Sequence, residues 1–374
     1  MTTTGTTVFP TLDDLPRGTH LWRAVLQWSG GLGIIVVAMI FLPMMKVGGM
    51  QFFRSEGFDT LGKILPRAFD IAAEITLVYV FMTGACFITF VLLGMSGFDA
   101  VFHALTACST GGFSNRDAGF ADWPGGPQVA AVFFMILAAL PFIRMVQLVR
   151  GDAAPLWRDV QVRAWLRWIF YAVVLIMIFR LVSFPAIQPG GMLGETVFAV
   201  VSTISGTGFS GVDVTPWGSF PFALLIIIGL IGGCTGSTAC SIKVFRYLVL
   251  FQAVKAQVRR MHSPHRVFPL ILEGRPLGRD VVSSVMAFFT IFMLSFGLLI
   301  VGLALTGLHP QTALTAAWSS IANIGPVWGP EVSINGAVDQ FPALSKWLMI
   351  IGMYLGRLEL LSVLVLFLPR FWYQ

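Results

Sequence analysis

Charge is what this 374-residue sequence has least of: 24 Lys and Arg and 18 Asp and Glu make up 11% of it, against 56% hydrophobic residues. A soluble domain carries roughly a quarter of its residues charged, so this composition excludes one and leaves a chain whose solvent is largely lipid. Cysteine is scarce as well. Cys86, Cys108, Cys234 and Cys240 lie in apolar or small-residue surroundings without metal-ligand spacing; they read as small packing residues, not as a disulfide framework or a metal site. No positively charged segment with a cleavage site stands at the start, so no removable signal peptide is expected. Carboxylates at membrane depth are nearly lacking too, Glu359 being the exception, which speaks against a membrane enzyme built on paired acids or a metal cluster. The net charge of +6 implies no nucleic-acid partner, because in a membrane chain the position of each cation matters more than the sum.

What the sequence does have is apolar runs. Seven stretches near 21–45, 71–95, 128–149, 164–184, 220–250, 281–305 and 344–368 are long and apolar enough to cross a bilayer. Between them lie three shorter stretches, 98–109, 195–205 and 310–323, each too short to cross and each followed by a Gly/Ser/Thr-rich turn. They read as half-crossing helices whose C-termini point inward.

Four short segments resemble one another. They are Thr2-Thr3-Thr4-Gly5-Thr6, Ser109-Thr110-Gly111-Gly112-Phe113, Ser205-Gly206-Thr207-Gly208-Phe209 and Asn323-Ile324-Gly325-Pro326. Gly5, Gly111, Gly208 and Gly325 are 106, 97 and 117 residues apart, which suits two spans plus a re-entrant loop and is too long for a soluble solenoid. A single such motif is weak; four in register are strong. An ion leaving water must exchange its hydration shell for oxygens, and backbone carbonyls offer these without a fixed charge that would trap it. Glycine suits the task because aiming consecutive carbonyls at one axis takes backbone angles that a Cβ disfavours. The candidate ion-binding residues are therefore Thr4, Gly5, Thr110, Gly111, Thr207, Gly208, Ile324 and Gly325. No acid lies within the four segments, which argues against a divalent-cation site, and converging helix C-termini favour a cation below them.

The expected fold is an all-α integral membrane protein with four pseudo-repeats of span, pore half-helix, filter loop and span around a central pore, the first incomplete. The expected boundaries are 1–62, 63–160, 161–275 and 276–374. Charge placement orients it. The connections between repeats carry Lys46, Arg54, Lys63, Arg67, Arg150, Arg158, Arg163, Arg167, Lys255, Arg259, Arg260, Arg266, Arg275 and Arg279, whereas the filter side carries mainly acids such as Asp13, Asp99, Asp117, Asp213 and Glu331. Lys and Arg in short loops mark the cytoplasmic face, so the filters open outward.

Two further features bear on gating. The 220–250 run is interrupted by Gly232-Gly233-Cys234-Thr235-Gly236-Ser237-Thr238-Ala239-Cys240, and irregular backbone at membrane depth is tolerated only beside protein or a water-filled cavity. A small-residue packing seam is the alternative. Arg357 lies in the last run with Glu359 two residues on, where a charge must face a partner or a pore. Lys243 and Arg246 either snorkel to the cytoplasmic surface or take part in gating. His103 reads as a packed or capped histidine, and Arg144 and Arg180 suggest no function.

The runs Leu21-Trp22-Arg23-Ala24-Val25-Leu26-Gln27-Trp28-Ser29-Gly30-Gly31-Leu32-Gly33, His103-Ala104-Leu105-Thr106-Ala107-Cys108-Ser109-Thr110-Gly111-Gly112-Phe113-Ser114 and Gly356-Arg357-Leu358-Glu359-Leu360 closely resemble the TrkH-type membrane subunits of bacterial Trk potassium uptake systems, within the TrkH/TrkG/KtrB/HKT superfamily. The likeness covers the whole chain. It implies potassium uptake through a gated pore in the bacterial inner membrane, with potassium as substrate held only at filter carbonyls and no cofactor. It also implies a homodimer in the lipid bilayer with a cytosolic TrkA-type nucleotide-binding regulatory subunit. By resemblance Gly232, Gly233, Gly236, Ser237 and Thr238 form a gate under the filter and Arg357 protrudes into the path. Chains of this type begin with further spans, on the order of 100 residues, so an N-terminally truncated sequence is expected. Gly206 stands where threonine is more usual. A sodium-permeable or sodium-coupled transporter of the same superfamily is the alternative.

Overall fold

The computed structural model describes residues 1–40, 64–184, 189–263, 270–272, 275–333 and 335–358. The remainder, including Lys46, Arg54, Lys63, Arg266, Glu359 and the end of the last run, lies outside the described residues, as does much of the expected first unit.

The described chain is helical apart from one two-stranded hairpin, Ile271–Leu272 against Arg275–Pro276. Its helices are α1 (Arg17–Ile40), α2 (Ile64–Leu92), α3 (Gly97–Cys108), α4 (Gly126–Ala138), α5 (Phe142–Val149), α6 (Ala154–Arg158), α7 (Val160–Ser183), α8 (Pro189–Ile204), α9 (Ser219–Ile231), α10 (Val244–His262), α11 (Arg279–Leu305), α12 (Pro310–Ala322) and α13 (Ala343–Arg357). Three times the order is the same: a long helix, a short helix, a Gly/Ser/Thr-rich turn, another helix. The long members α2, α7 and α11 include stretches apolar and long enough to cross a membrane. They expose Leu77, Phe81, Phe170, Ile178, Leu294 and Leu298, which in lipid costs nothing. The short members α3, α8 and α12 are the most enclosed, and in α12 ten of thirteen residues are buried.

Each short helix stops for a local reason. Ser109 caps α3 as its N–H turns back to the Leu105 carbonyl, and Thr110 then takes a left-handed φ of 49°. Gly206 does the same after α8 with φ 74°, and Asn323 after α12 with φ 53°. Glycine and asparagine are the residues that tolerate this C-terminal conformation best. Ser96 caps the other end of α3, accepting from the Asp99 N–H at 3.2 Å.

One expected span is corrected. The run 128–149 is not a straight crossing helix: α4 and α5 meet at 103° across Ala139, Leu140 and Pro141. Proline removes an N–H and forbids the preceding residue the helical region. The 220–250 run is broken as expected, between α9 and α10. A second correction concerns Lys243 and Arg246, which do not snorkel to the surface. Both are buried, with the Arg246 guanidinium 3.8 Å from the Phe288 ring centroid and its Nη1 donating to the Ile242 carbonyl.

Candidate ion pathway and the segment beneath it

The four glycine-rich segments close on one another in a ring. A Cβ on Gly5 would stand 2.9 Å from the Gly111 carbonyl oxygen; one on Gly112 would collide with the Thr207 carbonyl, one on Gly208 with the Ile324 carbonyl, and one on Gly325 would stand 2.8 Å from Gly5 Cα. First touches second, second third, third fourth, and fourth first. Hydrogen bonds fasten the last seam, Thr6 Oγ1 donating to the Gly325 carbonyl at 2.8 Å and Asn323 Nδ2 to Thr4 Oγ1 at 2.8 Å.

The ring also fixes the register. Thr3, Thr110, Gly206 and Asn323 all take positive φ, so Thr4, Gly111, Thr207 and Ile324 are equivalent, and so are Gly5, Gly112, Gly208 and Gly325. The second glycine at the contact between segments is thus Gly112, one residue past the Gly111 that spacing suggests. Gly111 lies behind it, against Gln27.

The sequence reading missed the residues that hold these turns. Gln27 of α1 is buried and clamps the second segment, its Nε2 donating to the Gly111 carbonyl at 2.6 Å while its Oε1 accepts from the Phe113 N–H at 3.2 Å. Ser202 Oγ donates to the Phe209 carbonyl at 2.9 Å in the third segment, and Thr315 Oγ1 to the Trp328 carbonyl at 2.6 Å beyond the fourth. Lone polar side chains inside apolar runs were the available signal. His103 is packed, as expected: its Nδ1 donates to the Asp99 carbonyl at 2.8 Å, and its ring lies edge-on to Phe120 and Trp123.

Below the ring lies the irregular stretch 232–243. Gly232, Gly236, Ser241 and Lys243 have φ of 74°, 80°, 66° and 75°, a succession only a glycine- and serine-rich sequence supports at low cost. All of it is buried. Its backbone groups are satisfied by the other broken helix. Cys234 N–H donates to the Ala139 carbonyl at 3.0 Å, Thr238 N–H to the Ala138 carbonyl at 3.2 Å, and Phe142 N–H to the Gly236 carbonyl at 2.9 Å. The α4–α5 bend therefore serves as the partner that irregular backbone at membrane depth requires. Gln161 and Trp165 of α7 add two bonds, Gln161 Oε1 accepting from the Thr235 N–H and Trp165 Nε1 donating to the Gly232 carbonyl, both at 3.0 Å. Ser237 Oγ donates locally to the Cys234 carbonyl, and Thr238 Oγ1 donates across to the Ala138 carbonyl at 2.9 Å. Gly233 packs against Ala239 and Ala139.

This stretch touches the ring from one side and Arg357 from the other. The Thr3 hydroxyl lies 3.9 Å from Cys240 Sγ, and Gly206 faces the Cys240 N–H. Arg357, 5% exposed, donates through Nη1 to the Thr238 carbonyl at 3.1 Å and to Cys240 Sγ, and through Nη2 to the Gly30 carbonyl of α1 at 2.8 Å. No carboxylate among the described residues lies within ion-pair distance of it, and its Nε is buried without a partner. Cys240 is thus more than packing, unlike Cys86 and Cys108.

The four segments thus form a turn-closed ring over a small-residue loop tied by a buried arginine. The TrkH family model, described as cation transport protein, matches residues 1–373. The chain belongs to the TrkH family. It is 37% identical over its full length to the Trk system potassium uptake protein TrkI of Halomonas elongata, covering 76% of that protein. It is 34% identical to the TrkH of Escherichia coli, again over the whole chain and 77% of the relative. The crystal structure of the potassium transporter TrkH from Vibrio parahaemolyticus superposes with a TM-score of 0.89 at 30% identity, over 99% of this chain and 76% of that one. This is a family of multi-pass membrane transporters and not an enzyme class.

Proposed function

We infer that the chain is the translocating membrane subunit of a Trk-type potassium uptake system, with potassium as its substrate and no cofactor. The observation that carries this reading is the closed ring of four segments, joined by contacts from Gly5 to Gly111, Gly112 to Thr207, Gly208 to Ile324 and Gly325 to Gly5. Four copies of one turn meeting edge to edge supply carbonyl and hydroxyl oxygens around a common axis, which is what a dehydrating monovalent cation needs. The filter consists of Thr4, Gly5, Thr110, Gly111, Gly112, Thr207, Gly208, Ile324 and Gly325. Gly232, Gly233, Gly236, Ser237 and Thr238 form the gate, and Arg357 is its latch. The four units 1–62, 63–160, 161–275 and 276–374 each contribute one quarter. The chain lies in the bacterial inner membrane with filters outward, as a homodimer, and a cytosolic TrkA-type nucleotide-binding subunit sets the gate from below.

Reconstitution tests it. Liposomes containing the protein should take up potassium in preference to sodium at equal gradients, and lose that preference when Gly208 is replaced. Equal or greater sodium flux would instead support the sodium-permeable alternative; no flux of either ion in a folded preparation would remove the pathway assignment.

A further inference from the structure

A cavity of about 300 Å³ opens where α5, α6 and α7 meet, lined by Arg144, Pro155, Arg158, Asp159, Val160 and Arg163. It lies on the face that the Lys- and Arg-rich connections assign to the cytoplasm. Three guanidiniums face one carboxylate there, and that carboxylate is already engaged. Asp159 caps α7, its Oδ1 accepting from the Gln161 and Val162 N–H groups at 2.9 and 3.4 Å, and its Oδ2 accepts from Arg144 Nε at 3.0 Å. Among the described residues the Arg163 side chain reaches only the Arg158 carbonyl, at 3.0 Å. Two positive charges in one concavity are therefore left without a counter-ion among the described residues.

We propose that this cavity binds a phosphate group, and that its occupancy steadies the gate loop. Guanidinium forks are matched best by oxyanions offering several acceptors. Arg158 and Arg163 together present more N–H donors than the two oxygens of one carboxylate can serve, whereas a phosphate group brings a further acceptor and, as a monoester, a second charge. Basic pockets between membrane helices on the cytoplasmic side suit lipid phosphates. Trp157 beside the cavity is 64% exposed, as an aromatic anchored at the lipid–water interface is. A soluble phosphate would find the same donors.

The coupling follows from what the cavity walls hold. Arg144 lies on α5, whose first residue Phe142 donates to Gly236; Asp159 caps α7, whose second residue Gln161 accepts from Thr235. An anion drawing the Arg158 and Arg163 forks toward Arg144 would tie together the two helix starts that grip the loop on either side.

The test uses the full chain in phosphatidylcholine nanodiscs, without and with phosphatidylglycerol, and separately with inorganic phosphate. Binding is read by native mass spectrometry for the lipid and by calorimetry for inorganic phosphate. Loop exposure is read as the alkylation rate of Cys234 by N-ethylmaleimide, resolved by peptide mass spectrometry. At least one of the two anions should bind. Its affinity should fall about tenfold in Arg158→Gln/Arg163→Gln, the loss expected for charge-assisted hydrogen bonds. Cys234 alkylation should slow several-fold with the anion in the unmodified protein and not in the variant. Both arginines are exposed, so the variant should melt with the parent, and Arg158→Lys/Arg163→Lys should recover part of the affinity. Retention of lipid identifies the lipid source, and binding of inorganic phosphate the soluble one. Binding of neither, or binding undiminished in the glutamine variant, overturns the site; binding with unchanged Cys234 alkylation overturns the coupling. None of these readouts depends on which ion the pathway carries.

Discussion

At the scale of single residues, the glycines of the ring and Arg357 carry the sharpest consequences. Gly208 has φ 71° and its missing Cβ leaves room for the Ile324 carbonyl. A side chain there pays about 1–2 kcal/mol for the left-handed backbone before any clash and must push the neighbouring quarter away. Gly208→Ser should therefore leave a folded protein whose potassium-to-sodium flux ratio falls; an unchanged ratio would take Gly208 out of the filter. Gly111→Ser should be felt first through Gln27, the side chain its Cβ would meet, so its effect should resemble that of Gln27→Ala. Arg357 raises a different question, whether its charge or its hydrogen bonds matter. Its guanidinium spans from the Thr238 carbonyl and Cys240 to the Gly30 carbonyl, and a lysine ammonium, a point charge, cannot serve both sides in that geometry. If Arg357 is a latch, Arg357→Ala and Arg357→Lys should both raise potassium flux several-fold at unchanged selectivity. If its charge alone sets a barrier, only the alanine variant should gain flux. A stable Arg357→Ala with flux no faster than the parent would sink both roles.

At the scale of elements, what the sequence made legible and what it hid differ for physical reasons. The half-helices expected at 98–109, 195–205 and 310–323 appear as Gly97–Cys108, Pro189–Ile204 and Pro310–Ala322; the latter two end in Gly206 and Asn323, which favour a left-handed cap, while Thr110 takes that conformation after the first. The second starts earlier than expected since Pro189 can open a helix, its missing N–H being one no helix start could pair. The 128–149 run concealed its bend because hydropathy sums over a run regardless of direction; Leu140-Pro141 carried the only signal. The register of the second glycine-rich segment was hidden by its Gly-Gly doublet, which a spacing argument cannot resolve, although Phe113 and Phe209 in matching places would have aligned Gly112 with Gly208. Hydrogen bonds such as Gln161 to Thr235 join residues 74 apart and could not be read at all. These elements act together: the loop 232–243 is held by the α4–α5 bend on one side and α7 on the other. Replacing residues 232–239 with leucine and alanine should alter open probability and leave ion preference intact, since the segment lies outside the ring. Changed selectivity with normal gating, measured in planar bilayers, would put the segment in the filter.

At the scale of the whole molecule, four segments distant in sequence are joined at the ring and just outside it. There Asp117 Oδ1 accepts from the Leu12 N–H at 2.8 Å and from Asn335 Nδ2 at 3.0 Å, and Phe120 N–H donates to the Ser210 carbonyl at 2.7 Å. On the proposed reading, separating the four segments opens the ion site, which links ion binding to the stability of the assembled fold. A ligand that binds only the assembled state stabilises it by RT ln(1 + [L]/Kd), about 2.7 kcal/mol at a hundredfold excess over Kd. The detergent-solubilised chain should accordingly melt at higher temperature in potassium chloride than in sodium chloride of equal ionic strength, by a margin that grows with concentration and then levels off logarithmically. Matching ionic strength removes screening as the cause, because surface charges respond equally to either salt. Gly208→Ser should narrow the difference between the salts, and Arg357→Ala should keep it, since Arg357 lies outside the ring. Equal melting temperatures in the two salts at every concentration would mean that the ring does not distinguish the ions at equilibrium, and any preference in flux would then have to arise elsewhere along the path.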